Sequence, residues 1–227
     1  MLKVQKFSGL SRRELTALIG ALAVLGISFS MKFFDRNTAT WNRPESVTAD
    51  LEIFVLTLVV VGTAFIGHEL AHKFTAQRYG CWAEFKLWTY GALMALLFAV
   101  VTAGNFVFAA PGAVYIASRA GYFGEGIDRK SNGIVSLMGP IVNIAGSLVF
   151  GVALLVVTSL GLHDLAIGGF RFLQAGIVIN VWLGAFNMLP IFILDGQKVY
   201  TWNKQVWAAI AIPLWALTIL ILANPPA

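Results

Sequence analysis

Apolar residues in this chain fall into long, nearly uninterrupted runs separated by short polar segments. Neither the strict alternation of a half-buried strand nor the single stripe of a water-facing helix dominates, so the runs predict membrane helices. The first, Leu15 to Met31, follows Lys3, Lys6, Arg12 and Arg13. No A-x-A-like cleavage site follows it, which predicts a retained first helix rather than a removed signal peptide. Polar residues fill 32–50, a loop by composition. A second run starts near Leu51 and carries no charge except Glu52 as far as Gly67. A cationic stretch with Lys73, Arg78 and Lys86 comes next.

Residues 87–116 break the pattern. Leu87 to Val101 is apolar but too short to span a membrane easily, and Thr102-Ala103-Gly104-Asn105 is a turn signal. Phe106 to Ile116 has the β-branched and aromatic content of a short strand or hairpin, interrupted by Pro111-Gly112. Residues 117–132 are polar again, with Arg119, Arg129 and Lys130. Further helices are expected at about 133–160, 172–194 and 205–223. There is no internal repeat and no stretch long enough for a separate soluble domain. The expectation is one integral membrane domain over 1–227, an all-α polytopic protein. It would have about five transmembrane helices and a re-entrant helix/β-hairpin segment.

Composition agrees. Apolar residues make up 58% of 227 and charged residues 12%, with a mean hydropathy of +0.78. No soluble fold hides so much apolar surface. The formal charge of +5 is explained by lysines and arginines at helix ends, and the absence of a basic stripe or RNA-binding motif argues against a nucleic acid partner. The single cysteine, Cys81, excludes an internal disulfide and a thiolate metal site, and reads as a small packed residue.

The cationic N-terminus belongs in the cytoplasm, which makes this a multi-pass cell-membrane protein. The first helix exits and the second returns. Leu51 to Gly67 rises about 25 Å, so His68 comes to lie in the cytoplasmic part of a ~30 Å apolar core. If 87–116 enters and returns, the helix ending near Leu194 finishes beside His68; if it crosses, that helix finishes outside. Cations on both flanks favour re-entry, although Lys32, Arg36 and Arg43 in the outer loop run against the charge rule.

His68-Glu69-Leu70-Ala71-His72 closes the second run. On a helix, this spacing puts two imidazoles one turn apart on one face, where both can bind one zinc ion, with Glu69 placed as general base toward an activated water. Ionisable groups at membrane depth cost about 2.5–3.5 kcal/mol each on insertion scales, so they mark function by default. Two of the chain's three histidines are in this motif. The third, His163, stands in a short loop beside Asp164 and reads as a solvated histidine. Catalytic zinc usually has three protein ligands. Asp195 is the candidate, although Asp195-Gly196 alone could simply close a helix. Pro190 already breaks that helix, and unwound backbone at membrane depth is tolerated only where it lines a polar cavity. Asn143 and Asn187 either hydrogen-bond between helices or orient a peptide carbonyl or oxyanion.

The motifs His68-Glu69-Leu70-Ala71-His72, Gly139-Pro140-Ile141-Val142-Asn143 and Asn187-x-x-Pro190-x-x-x-x-Asp195-Gly196 occur in this order. That series resembles the site-2 protease family of intramembrane metalloproteases, over roughly Leu51 to Val199. The resemblance implies one zinc ion held by His68, His72 and Asp195, with Glu69 as base. It implies a transmembrane protein substrate cut within its membrane segment near the cytoplasmic face, in contact with membrane lipid. The Pro111-Gly112 strand is similar to the family's membrane-embedded β segment, which implies that Pro111, Gly112 and Val114 hold an unwound substrate strand. The chain departs in its long apolar stretch at 87–101 and in having one apolar helix after Asp195. The rival reading is a membrane metal-ion transporter using the same ligands. Transporters tend to repeat their halves, no repeat occurs here, and Glu69 would have no task there.

Overall fold

The computed structural model describes residues 9–32, 44–117, 127–167 and 170–224. Lys3, Lys6, Arg36, Arg43 and Arg119, which entered the reading of loop charge, lie outside the described residues. Helix α1 spans Arg12–Ser30 and is capped by Ser11, whose Oγ accepts from Glu14 N at 3.1 Å. Helix α2, Pro44–Val61, passes through a π-helical turn, Gly62–Ile66, into α3, Gly67–Arg78. Its first described residue, Pro44, lies inside the stretch expected to be a loop.

The segment after α3 differs most from expectation. A strand, β1 (Trp82–Leu87), precedes helix α4 (Thr89–Val101), and a second strand, β2 (Gly112–Ala117), follows it. The two pair antiparallel, from Trp82 opposite Ala117 to Leu87 opposite Gly112. The chain therefore leaves along α4, turns through Ala103 and Gly104 at positive φ, and returns to its starting point. The expected strand over Phe106 to Ile116 is corrected, because only its last part is strand and its partner lies before α4. Residues 107–111 make other bonds: Val107 O accepts from Trp182 Nε1 at 3.0 Å, and Pro111 O from Trp88 N at 2.8 Å.

Helix α5, Arg129–Ser159, starts at Asp128, whose Oδ1 accepts from Lys130 N and Ser131 N, both at 3.0 Å. A two-residue ladder joins β3 (Ala166–Ile167) to β4 (Phe170–Arg171). Helix α6, Phe172–Asn187, begins where the Asp164 carboxylate accepts from Leu173 N and Gln174 N. It stops seven residues before Leu194, the end expected from hydropathy, because Pro190 cannot continue the ladder. Trp207 and Trp215 of α8 (Lys204–Ala223) donate their indole N–H groups to Met188 O and Ala185 O, both at 2.9 Å. Carbonyls at the helix end are thus satisfied inside the protein, as an apolar environment requires. Helix α7, Asp195–Trp202, then begins against the end of α6.

Among the described residues, four helices are long and apolar enough to cross a membrane: Arg12–Ser30, Val47–Arg78, Arg129–Ser159 and Lys204–Ala223. Helices α4 and α6 are shorter apolar helices. The main core joins Leu18 and Leu25 of α1, Ile53, Val60 and Val61 of α2, Phe85 of β1, Ala95 of α4, and Ile179 and Leu183 of α6. It packs the long helix that carries His68 from several sides.

A candidate metal centre at the end of an apolar helix

Helix α3 supplies His68, Glu69 and His72, all buried, and the first residue of α7 supplies Asp195. His68 Nε2 lies 3.0 Å from His72 Nε2 and 3.1 Å from Asp195 Oδ2, and His72 Nε2 lies 3.0 Å from the same oxygen. The three atoms form a nearly equilateral triangle. Ligand atoms of one tetrahedral zinc, each about 2.0–2.2 Å from the metal, lie about 3.3 Å apart, so the spacing fits.

The proton bookkeeping fits as well. His72 Nδ1 donates to Val135 O at 2.8 Å, since a carbonyl can only accept. His68 Nδ1 donates to Asn143 Oδ1 at 2.7 Å. With Nδ1 as the donor, a neutral ring at each position presents a bare Nε2 lone pair to the carboxylate oxygen, the state a metal ligand needs. In that state three electron-rich atoms converge, and a cation shared among them satisfies all three. Among the described residues, these three form the group of side chains able to share one metal ion.

Neighbouring elements make room for that ion. Gly139 of α5 passes directly over the triangle, and a Cβ there would lie 2.5 Å from both Nε2 atoms. Pro140 removes one rung of the α5 ladder beside Val135, whose carbonyl fixes His72. Gly196 lets α7 start against the end of α6, since a Cβ there would collide with the backbone of Met188 and Leu189. Lys198 Nζ, 3.6 Å from Asp195 Oδ1, holds the carboxylate oxygen that faces away from the triangle.

The cavity beside this centre is lined by Glu69, by Gly112, Ala113, Val114 and Ile116 of β2, by Val135 and Ser136, and by Asn187, Ile193, Leu194 and Lys198. Glu69 Oε2 is buried there and has no hydrogen-bond partner among the described residues, which leaves it able to take a proton. Of the other residues singled out in the sequence, Asn187, Gly112 and Val114 line the cavity. Asn187 also donates Nδ2 to Leu183 O at 3.0 Å. Pro111 is buried outside the lining and gives its carbonyl to Trp88. Asn143 also lies outside the lining and instead bonds His68. His163 is exposed in its loop.

The sequence reading missed an ion pair behind the centre. Lys73 follows His72 and is buried against Glu14 of α1. Glu14 Oε1 also accepts from Phe85 N at 3.0 Å, so one carboxylate ties α1 to α3 and β1. The signal was present: Ser11-x-x-Glu14 has capping-box spacing, and Glu14 stands ahead of an otherwise apolar run.

A polytopic helical protein whose apolar helix carries His-Glu-x-x-His, completed by a distant aspartate, has the donor set and base of a zinc peptidase. Relatives agree. Over 163 residues the chain is 37% identical to a Methanocaldococcus jannaschii protein named "Putative zinc metalloprotease MJ0611", covering 71% of this chain and 78% of the relative. Over 147 residues it is 26% identical to "Zinc metalloprotease MJ0392" of the same organism, covering 65% of this chain and 32% of that longer protein. No family model and no solved structure matches. The chain belongs to this zinc metalloprotease family, which makes zinc its cofactor, and His68, His72 and Asp195 lie close enough together to share one ion. The relatives' names do not favour the transporter reading.

Proposed function

We propose that the chain is an intramembrane zinc endopeptidase of the site-2 type, cutting transmembrane segments of membrane proteins near the cytoplasmic face. One observation carries this reading: two of the three ligands, His68 and His72, and Glu69 stand on a continuous helix, Val47–Arg78, that is long and apolar enough to cross a membrane. A metal centre there meets peptide bonds that are themselves in the membrane. Zinc at His68, His72 and Asp195 supplies Lewis-acid polarisation of the scissile carbonyl and acidifies the attacking water. Glu69 Oε2 accepts the proton of that water and returns it to the leaving amine. The second hydrogen on Asn187 Nδ2 is available to a carbonyl oxygen in the cavity. A helical substrate must unwind first, because its carbonyls are otherwise occupied by its own ladder. Strand β2, which has β1 on one side and the cavity on the other, supports a reading in which the extended substrate adds there as a further strand.

The purified, zinc-loaded chain, incubated with a model transmembrane substrate, should release a fragment cut inside the membrane segment. A cysteine replacing Val114 should crosslink to residues flanking that cut. Cleavage restricted to soluble peptides, or crosslinks confined to α8, would defeat the reading.

The same proposal gives a topology, with the N-terminus and both flanks of 87–116 in the cytoplasm. Antiparallel pairing of β1 with β2 supports it, since Trp82 and Ala117 end up side by side with α4 and its return between them. Single cysteines replacing Arg78 and Arg129, in a Cys81→Ala background, should both label from the cytoplasmic side. Labelling from opposite faces would remove the re-entrant arrangement.

A further inference from the structure

We infer that Asn180, in the middle of the apolar helix α6, is a positioning residue for the zinc centre. It acts through Asn143 to decide which nitrogen of His68 carries the proton. Asn180 Nδ2 bonds Gly176 O at 2.8 Å. A backbone carbonyl only accepts, so the amide nitrogen must face it and Oδ1 must face Asn143. Asn143 Nδ2 donates to that Oδ1 at 3.3 Å and to Ala64 O, in the π-helical turn, at 3.1 Å. Both neighbours of Asn143 Nδ2 are acceptors, so Asn143 cannot turn over without setting oxygen against oxygen twice. Its Oδ1 is therefore committed to His68 Nδ1 at 2.7 Å, which must carry the hydrogen. In the neutral ring this leaves Nε2 as the bare nitrogen, the one that faces His72 and Asp195. Carbonyls of Gly176 and Ala64, on two other helical elements, thus set the tautomer of a zinc ligand.

Burial makes the relay binding. Asn143 is 0% and Asn180 1% exposed, so water cannot replace a lost partner. The path exists because α5 carries Gly146 at the crossing, where any Cβ would collide with the Asn180 amide. The competing account is that the two asparagines only hold α5 to α6, as interhelical amides often do. That account predicts lost stability with the metal site intact.

The proposal rests on the zinc centre and not on the nature of the substrate, so its readouts use no substrate. The full chain in detergent is compared with Asn180→Leu, which keeps bulk but cannot hydrogen-bond, and with Asn180→Ala in case leucine is not tolerated. Phe150→Leu is the control, because Phe150 packs against Gly176 at the same helix pair and makes none of the relay's hydrogen bonds. Chelator competition should show zinc held about 10-fold more weakly by the Asn180 variants, at the low end of the usual range for outer partners of a metal-bound histidine. Phe150→Leu should change it less than about 2-fold, the ordinary outcome when no partner of a ligand is altered. Nitrogen-15 histidine spectra of the metal-free chain should show His68 protonated at Nδ1 in the parent and as a mixture of tautomers in the Asn180 variants. Unchanged zinc affinity with an unchanged His68 tautomer would overturn the proposal and leave the asparagines as helix glue. Equal weakening by Phe150→Leu would do the same. A chain that binds zinc as expected yet cuts no transmembrane substrate would remove the proteolytic reading and leave this one standing.

Discussion

Replacing Glu69 by glutamine is expected to leave zinc binding intact and to lower peptide cleavage by at least about 10²–10⁴-fold, the range assigned to a positioned general base. The amide has nearly the same size as the carboxylate, so the packing of α3 survives. Glu69 is not a member of the ligand triangle, and His68, His72 and Asp195 keep the metal. What disappears is an unpartnered buried oxygen, Oε2, able to take a proton. Zinc content measured beside turnover separates the two effects. Near-normal cleavage by zinc-loaded Glu69→Gln would defeat the assigned role, and loss of zinc would turn Glu69 into part of the metal site. His68→Ala, His72→Ala and Asp195→Ala should instead lose zinc and activity together.

Gly139→Ala should produce an opposite and unusual signature. Its new methyl group would lie 2.5 Å from both imidazole Nε2 atoms, inside the space where those lone pairs converge. Neither ring can retreat easily, since His68 is held by Asn143 and His72 by Val135. Zinc affinity should fall by about 100-fold or more, an expectation drawn from closing a coordination site outright. Alanine in a helix interior is favoured over glycine by only about 0.5–1 kcal/mol, too little to offset that contact with two held rings, so the metal-free protein should lose stability as well. Thermal melting with and without zinc shows the pattern: a lowered midpoint without metal, and a lost zinc-dependent increment. Full zinc occupancy in Gly139→Ala would mean that the triangle is not where the metal sits.

Much of this centre was legible in the sequence because its chemistry is local or rests on rare residues. His68, Glu69 and His72 share one helix turn. Asp195 stood out because Pro190 made a simple helix-ending turn an insufficient account. The long helices were legible because membrane thickness imposes a length, although the end of α6 was overrun: hydropathy continues through 188–194 while Pro190 and the indoles of α8 end the helix. The hairpin was half legible. Its second strand has β-branched character, but β1 reads as a polar stretch with Glu84 and Lys86 on its exposed face, and its partner lies beyond an inserted helix. No local pattern announces a pairing across such an insertion. Asn143 was noticed without its task, and Asn180 went unnoticed, because a lone amide in an apolar run reveals a partner only once the helices are packed. Gly139 has the same history, since nothing in a Gly-Pro pair says which atoms the missing side chain would have met.

The carboxylate of Glu14 has a consequence for the small sheet as a whole. A two-stranded sheet presents two raw edges, each able to recruit any extended chain that drifts past, whether a client or another copy of the same protein. Here the Phe85 N–H on the outer side of β1 is taken by an acid that is itself buried and neutralised by Lys73. That one position of the edge is occupied from within the chain, by a buried group that a passing backbone would have to displace. Among the described residues β2 pairs only with β1, and its residues line the cavity on the other side. Stitching the first helix to the back of the sheet therefore leaves the proposed substrate strand its other side, along β2.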